Sequence, residues 1–157
     1  METNTSNKSL ATTIADHRLF KDFAPRYLAL LAEVAMFKEF AADEVIFREG
    51  DPANRFYLIL DGEVAIESAP RDHVSVLLQT IGRDDVLGWS WLFPPYYWHF
   101  DARATVPTKA IFFYGTWLRD SCERDHDFGY EMLKRMSAII IDRLQVIRRK
   151  LAEAERK

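Results

Sequence analysis

A chain of 157 residues, 48% of them hydrophobic and 13% aromatic, has the size and apolar content of one compact domain that fills a core without disulfides or a structural metal. Its single cysteine, Cys122, excludes an internal bridge, and its formal net charge of −3 argues against broad attraction to a nucleic-acid backbone. The one basic cluster, Arg143, Arg148, Arg149 and Lys150, is diluted by Asp142, Glu153 and Glu155 and reads as a solvated helix face.

Residues 1–15 are rich in Thr, Asn and Ser and read as a mobile tail. The first ten carry no apolar signal-peptide core, and no stretch reaches the length of a membrane span, so a cytoplasmic protein is expected. From Asp16 to Phe37 the apolar residues Leu19, Phe20, Phe23, Tyr27, Leu28, Leu31, Val34 and Ala35 recur at helical spacing. Pro25 divides this stretch and suits the start of a second helix, where its missing N–H costs nothing. After Phe40 come short β-branched or aromatic runs at 45–47, 56–60, 63–66, 74–78 and 110–114. Turn formers separate them, the clearest being Asp61-Gly62. Their spacing predicts an antiparallel sandwich or barrel.

From Asp125 onward the spacing predicts one long helix. Leu133, Ser137, Ile140, Leu144, Ile147 and Leu151 alternate steps of four and three, the spacing of a coiled-coil seam. A helix packed on its own barrel shows a similar stripe, so both readings stand. The expected fold is α+β: an antiparallel β-barrel or jelly roll with N-terminal helices and a long C-terminal helix. The expected divisions are 1–15, 16–124 and 125–157.

Three segments carry a resemblance. Phe40 to Asp51 reads Phe-x4-Val-Ile-Phe-x-Glu-Gly-Asp; Phe56 to Ile66 follows; then Ile81-Gly82-Arg83-Asp84-Asp85-Val86-Leu87-Gly88. In this order and spacing they resemble the cyclic-nucleotide-binding domains of catabolite activator proteins, related oxygen-sensing regulators and protein-kinase regulatory subunits. The resemblance implies a phosphate-binding cassette after Gly88, whose helical amides and a strand-entering arginine hold the cyclic phosphate while a glutamate holds the ribose. It also implies a regulatory role, not an enzymatic one.

This sequence departs from the family at both signature positions. Trp89 stands where the glutamate is expected, and Ala102 falls at the arginine position, with Arg103 one step away. On a strand that step points Arg103 to the opposite face unless a bulge turns it back. The longer segment Gly88 to Arg103 holds three of the four tryptophans. It reads as extra core, a pocket for a flat or apolar ligand, or a docking surface. A small ligand, nucleotide-like if it follows the family, is expected against Gly88, Trp89, Ser90, Trp91 or Arg103.

Other chemistry leaves thin traces. His99-Phe100-Asp101 is the nearest approach to a cupin metal pattern, and Cys122 and His126 stand four apart as a conceivable metal or haem pair without a third ligand. Neither Ser90 nor Cys122 has a recognisable base in its sequence context. No metal site, no certain cofactor and no catalytic residue are assigned. Two functions are left: a sensor that passes ligand occupancy to its C-terminal helix or a partner, and a scaffold that keeps the barrel without a ligand. A homodimer through Ile140, Leu144, Ile147 and Leu151 is expected. Specific DNA binding by this chain alone is not, because family transcription factors place a helix-turn-helix after the long helix and the sequence ends at Lys157.

Overall fold

A computed structural model describes residues 10–68 and 74–156. Residues 10–15, read from sequence as tail, are helical: helix α1 over residues 10–16 places Leu10 and Ile14 one turn apart on the same face, and both are buried. Residues 1–9 lie outside the described residues. A 3-10 turn at Arg18–Phe20 follows, capped by the His17 ring, whose Nδ1 accepts the Leu19 N–H at 3.1 Å. Helix α2, Pro25–Glu33, begins on Pro25 as expected.

The helical pattern expected as far as Phe37 stops at Glu33, because the chain there finds a strand partner. Strand β1, Ala35–Phe40, pairs antiparallel with β8, Thr108–Tyr114, aligning Met36 with Phe112. Between them in sequence lie β2 (Val45–Phe47), β3 (Arg55–Asp61), β4 (Glu63–Ser68), β5 (Val76–Gly82), β6 (Val86–Leu87) and β7 (Asp101–Ala104). They form two four-stranded sheets, ordered β1-β8-β3-β6 and β2-β7-β4-β5. The architecture is the jelly-roll alternative of the expected fold, an antiparallel sandwich whose two sheets do not close into one barrel. The β3–β4 hairpin turns at Gly62, whose φ of +113° lies in the left-handed region that favours glycine.

Strand β3 explains why its sequence shows no alternation. Phe56 and Leu58 face a core shared with α1, α2 and the C-terminal helices, while Tyr57 and Ile59 face the space between the sheets. Strand β8 does the same with Ile111 and Phe113 on one side and Ala110 on the other. A strand buried on both faces reads as a continuous apolar run. Each fully buried Phe or Leu contributes roughly 1.5–3 kcal/mol relative to exposure.

Helix α3, Gly115–Arg124, received no element in the sequence reading; helix α4, His126–Glu155, did. Asp125 caps α4 through the Phe128 N–H at 3.2 Å. Phe128, Met132, Met136 and Ile139 are its buried face. Beyond Ile139 the helix runs along β5 and β6. Arg143 Nη2 donates to the Val86 carbonyl at 2.6 Å and Lys150 Nζ to the Leu78 carbonyl at 3.0 Å.

Candidate ligand cleft and its lengthened cassette

The segment after β6 is built by aromatic packing. Gly88 has φ +95°, and the indole of Trp98 lies directly over it. The same indole stacks on Phe47 at 3.7 Å between ring centres and 6° between planes. The face of Gly88 expected to meet a ligand is covered by Trp98. Trp91 packs into the helix-side core, stacked on Phe56 at 5.1 Å. Its carbonyl accepts from Arg119 Nη1 at 2.6 Å, and that guanidinium stacks on Tyr96 at 3.9 Å, tying the cassette to α3.

Ser90 is fully buried, with Oγ 2.8 Å from His99 Nδ1. The sequence offered no base for this hydroxyl, because its partner lies nine residues away across a turn. The pair joins the two ends of the cassette. The His99 ring in turn stacks on Trp89, with centres 4.7 Å apart.

Arg103 points away from the sandwich interior. Its neighbours Ala102 and Ala104 are fully buried, and strand alternation puts the side chain between them on the outer face. The irregularity in the β2–β7 pairing lies between Val45 and Phe47, on β2, so it does not turn Arg103 back. The guanidinium grips Glu67 with Nε–Oε1 at 3.1 Å and Nη2–Oε2 at 3.3 Å, and meets Asp43 at 3.0 Å. The hydrogen bonds to Glu67 raise its already high pKa. Arg103 is therefore committed to acidic partners.

Of the five residues singled out for ligand contact, Trp89 borders a cleft beside α4. That cavity, about 180 Å³, lies between the β4–β5 sheet, the cassette and α4. Ile66 and Gln79, a cross-strand pair, form one wall, Trp89 and Phe100 another, and Ile140, Leu144 and Ile147 of α4 the third. The lining is almost wholly apolar. Arg143 also borders it; its head group is turned to the Val86 carbonyl, and burial lowers its pKa. Gln79 is 8% exposed and its Oε1 has no hydrogen-bond partner.

A second cavity, about 420 Å³, lies where α3 and α4 meet the cassette and is bordered by Cys122 and His126. Burial, followed by the charges of Glu123 and Asp125, pushes the Cys122 thiol up to about 12, which leaves it protonated at neutral pH. Among the described residues no group of three or more His, Cys, Asp or Glu could hold a metal ion.

The family model described as the cyclic nucleotide-binding domain matches residues 37–125, more than half of the chain. The chain belongs to the cyclic nucleotide-binding domain family. Similar proteins include a cAMP-dependent protein kinase regulatory subunit of Dictyostelium discoideum, 34% identical over 73 residues that cover 39% of this chain and 22% of that one. Another is a CRP-like cAMP-activated global transcriptional regulator of Mycobacterium tuberculosis, 30% identical over 77 residues, 49% of this chain and 34% of that one. The chain thus spans at most about a third of the curated relatives it matches. A solved structure from Geobacter metallireducens GS-15, named for cyclic-nucleotide binding, superposes with a TM-score of 0.76 at 26% identity, covering 88% of this chain and 98% of that one. Within this family the present domain carries three tryptophans between Gly88 and Arg103, with Trp89 directly after Gly88 and Ala102 directly before Arg103. Among the described residues no helix is long and apolar enough to cross a membrane.

Proposed function

We propose that this domain is a non-catalytic cytoplasmic sensor whose small ligand occupies the cleft between the sandwich and α4, and whose output is a change in α4 or in a partner held by it. The observation that carries this reading is that α4 itself walls the cavity. Ile140, Leu144 and Ile147 face Ile66, Gln79 and Trp89 across it. A ligand there touches sheet, cassette and helix at once, so its binding energy depends on where the helix sits. A ligand held only by the folded state raises stability by RT ln(1 + [L]/Kd). A thermal-shift screen with cyclic mono- and dinucleotides, nucleotides, haem and small aromatics tests this, read together with hydrogen exchange along α4. Stabilisation accompanied by slower exchange in residues 140–151 supports the sensor. Stabilisation that leaves α4 exchange unchanged speaks against it.

The second reading, an interaction scaffold that binds no nucleotide, is favoured by Trp98 closing over Gly88 and by Arg103 engaging Glu67. In both readings α4 is the output surface. Leu144 and Leu151 are 60% and 66% exposed, and with Ile140 and Ile147 they form the seam proposed for a parallel homodimer.

A further inference from the structure

Each sheet ends in two outer strands, and three of these four edges are short or already answered within the chain. Strand β2 spans three residues, and its pairing with β7 shifts in register. Strand β6 spans two, and Arg143 takes its Val86 carbonyl; Lys150 takes the Leu78 carbonyl of β5. Strand β1 differs. Its six residues pair with β8 without a bulge, contain no proline, and leave Met36 56% and Phe37 45% exposed. A flat, apolar edge of this kind is a template for another strand. The ladder also fixes which backbone groups are free. Tyr114 N donates to the Val34 carbonyl at 3.1 Å and Met36 lies opposite Phe112, so Met36, Lys38 and Phe40 turn their N–H and C=O groups to β8. Ala35, Phe37 and Glu39 turn theirs outward, where they meet no hydrogen-bond partner among the described residues.

We infer that this edge receives β1 of a second copy, antiparallel, with the two-fold axis at Phe37. An antiparallel partner must set outward groups against outward groups, so odd-numbered residues face odd and even face even. Two registers share the longest overlap that obeys this rule. Centred on Lys38, the pairing sets that cation directly against itself, which is unfavourable. Centred on Phe37, it pairs the two rings, lays the stem of Lys38 beside Met36 of the second copy, sets Glu39 beside Ala35 of the second copy, and opposes no like charges. A single strand pair is too small to hold a dimer at micromolar concentration, so the contact is measured in concentrated protein. Bonded antiparallel pairs stand about 5.5 Å apart at Cα, inside the disulfide range. Phe37→Cys is therefore expected to crosslink to itself under mild oxidation. Glu39→Cys, whose copies lie about 13 Å apart along the paired strands in this register, should yield at least roughly tenfold less covalent dimer. Cys122 does not compete, because burial pushes its thiol up to about 12 and keeps it protonated. Both variants are made in full-length protein carrying Leu144→Asp, so that the α4 stripe plays no part in bringing chains together. With Phe37 in place, raising the concentration should slow amide exchange at Phe37 and Glu39 and leave Lys38 and Phe40, already bonded to β8, unchanged. Absence of a Phe37→Cys crosslink, an equal yield from Glu39→Cys, or exchange at Phe37 and Glu39 that does not respond to concentration overturns the inference.

Discussion

The indole of Trp98 rests on the α-carbon of Gly88: a Cβ placed there would stand 3.0 Å from Cζ3 and 3.1 Å from Cη2 of that ring. Gly88→Ala therefore meets two penalties at once, a left-handed φ of +95° and a ring pinned from behind by Phe47. The expected loss is about 1–3 kcal/mol of folding stability, measured by urea denaturation. A loss below about 0.5 kcal/mol would mean that Trp98 yields freely.

Affinity for cAMP and cGMP should be weak or absent. Each charge-assisted bond to a phosphate contributes about 1.5–3 kcal/mol, and the side chains at positions 89 and 102 supply none. Writing the family's residues back in, Trp89→Glu with Ala102→Arg, should not restore binding. Ala102 is fully buried on the inner face, and an arginine there overpacks the sandwich. Calorimetric titration of both proteins decides; a dissociation constant in the low micromolar range for the wild type would show that the cassette opens in solution.

If α4 pairs with a second copy, Leu144→Asp should yield monomers in sedimentation experiments, because each apolar seam residue buried contributes roughly 1.5–3 kcal/mol before the cost of association. A wild-type protein that is monomeric at micromolar concentration would assign the stripe to the cleft alone.

Acid should weaken the fold through His17. Burial, then the neighbouring Arg18, hold its pKa below the ordinary 6.5, against the opposing pull of Asp84 and Asp85. The unfolded chain thus takes up the proton first. The stability from a neutral His17 is complete above pH 6.5 and is lost as pH falls through the lowered folded value. Protonation also removes the Nδ1 acceptor that caps the 3-10 turn. His17→Asn keeps a cap acceptor without titrating, so its melting temperature should fall less steeply than that of the wild type below pH 6.5. Parallel slopes would assign the acid sensitivity elsewhere.

Local chemistry made much of this fold legible. Asp61-Gly62 turns the β3–β4 hairpin, Pro25 opens α2, and Asp125 caps α4. The outward direction of Arg103 follows from alternation with Ala102 along the strand. Features that depend on distant contacts stayed hidden. Leu10 and Ile14 look isolated among threonines until a groove receives them. Ala35 to Phe40 becomes a strand because β8 pairs with it. The contact of Ser90 with His99 needs the intervening turn, and the cavity beside Gln79 exists only once α4 lies across β5.

Strand β3 gives alternate side chains to two separate cores, Phe56 and Leu58 to one, Tyr57 and Ile59 to the other. Neither core can come apart while that strand keeps its place, and losing the strand dissolves both. The helices and the sandwich should therefore melt in a single transition with coincident probes. The amides of β3 should exchange only through global unfolding, which makes them the internal gauge of the molecule's whole free energy of folding.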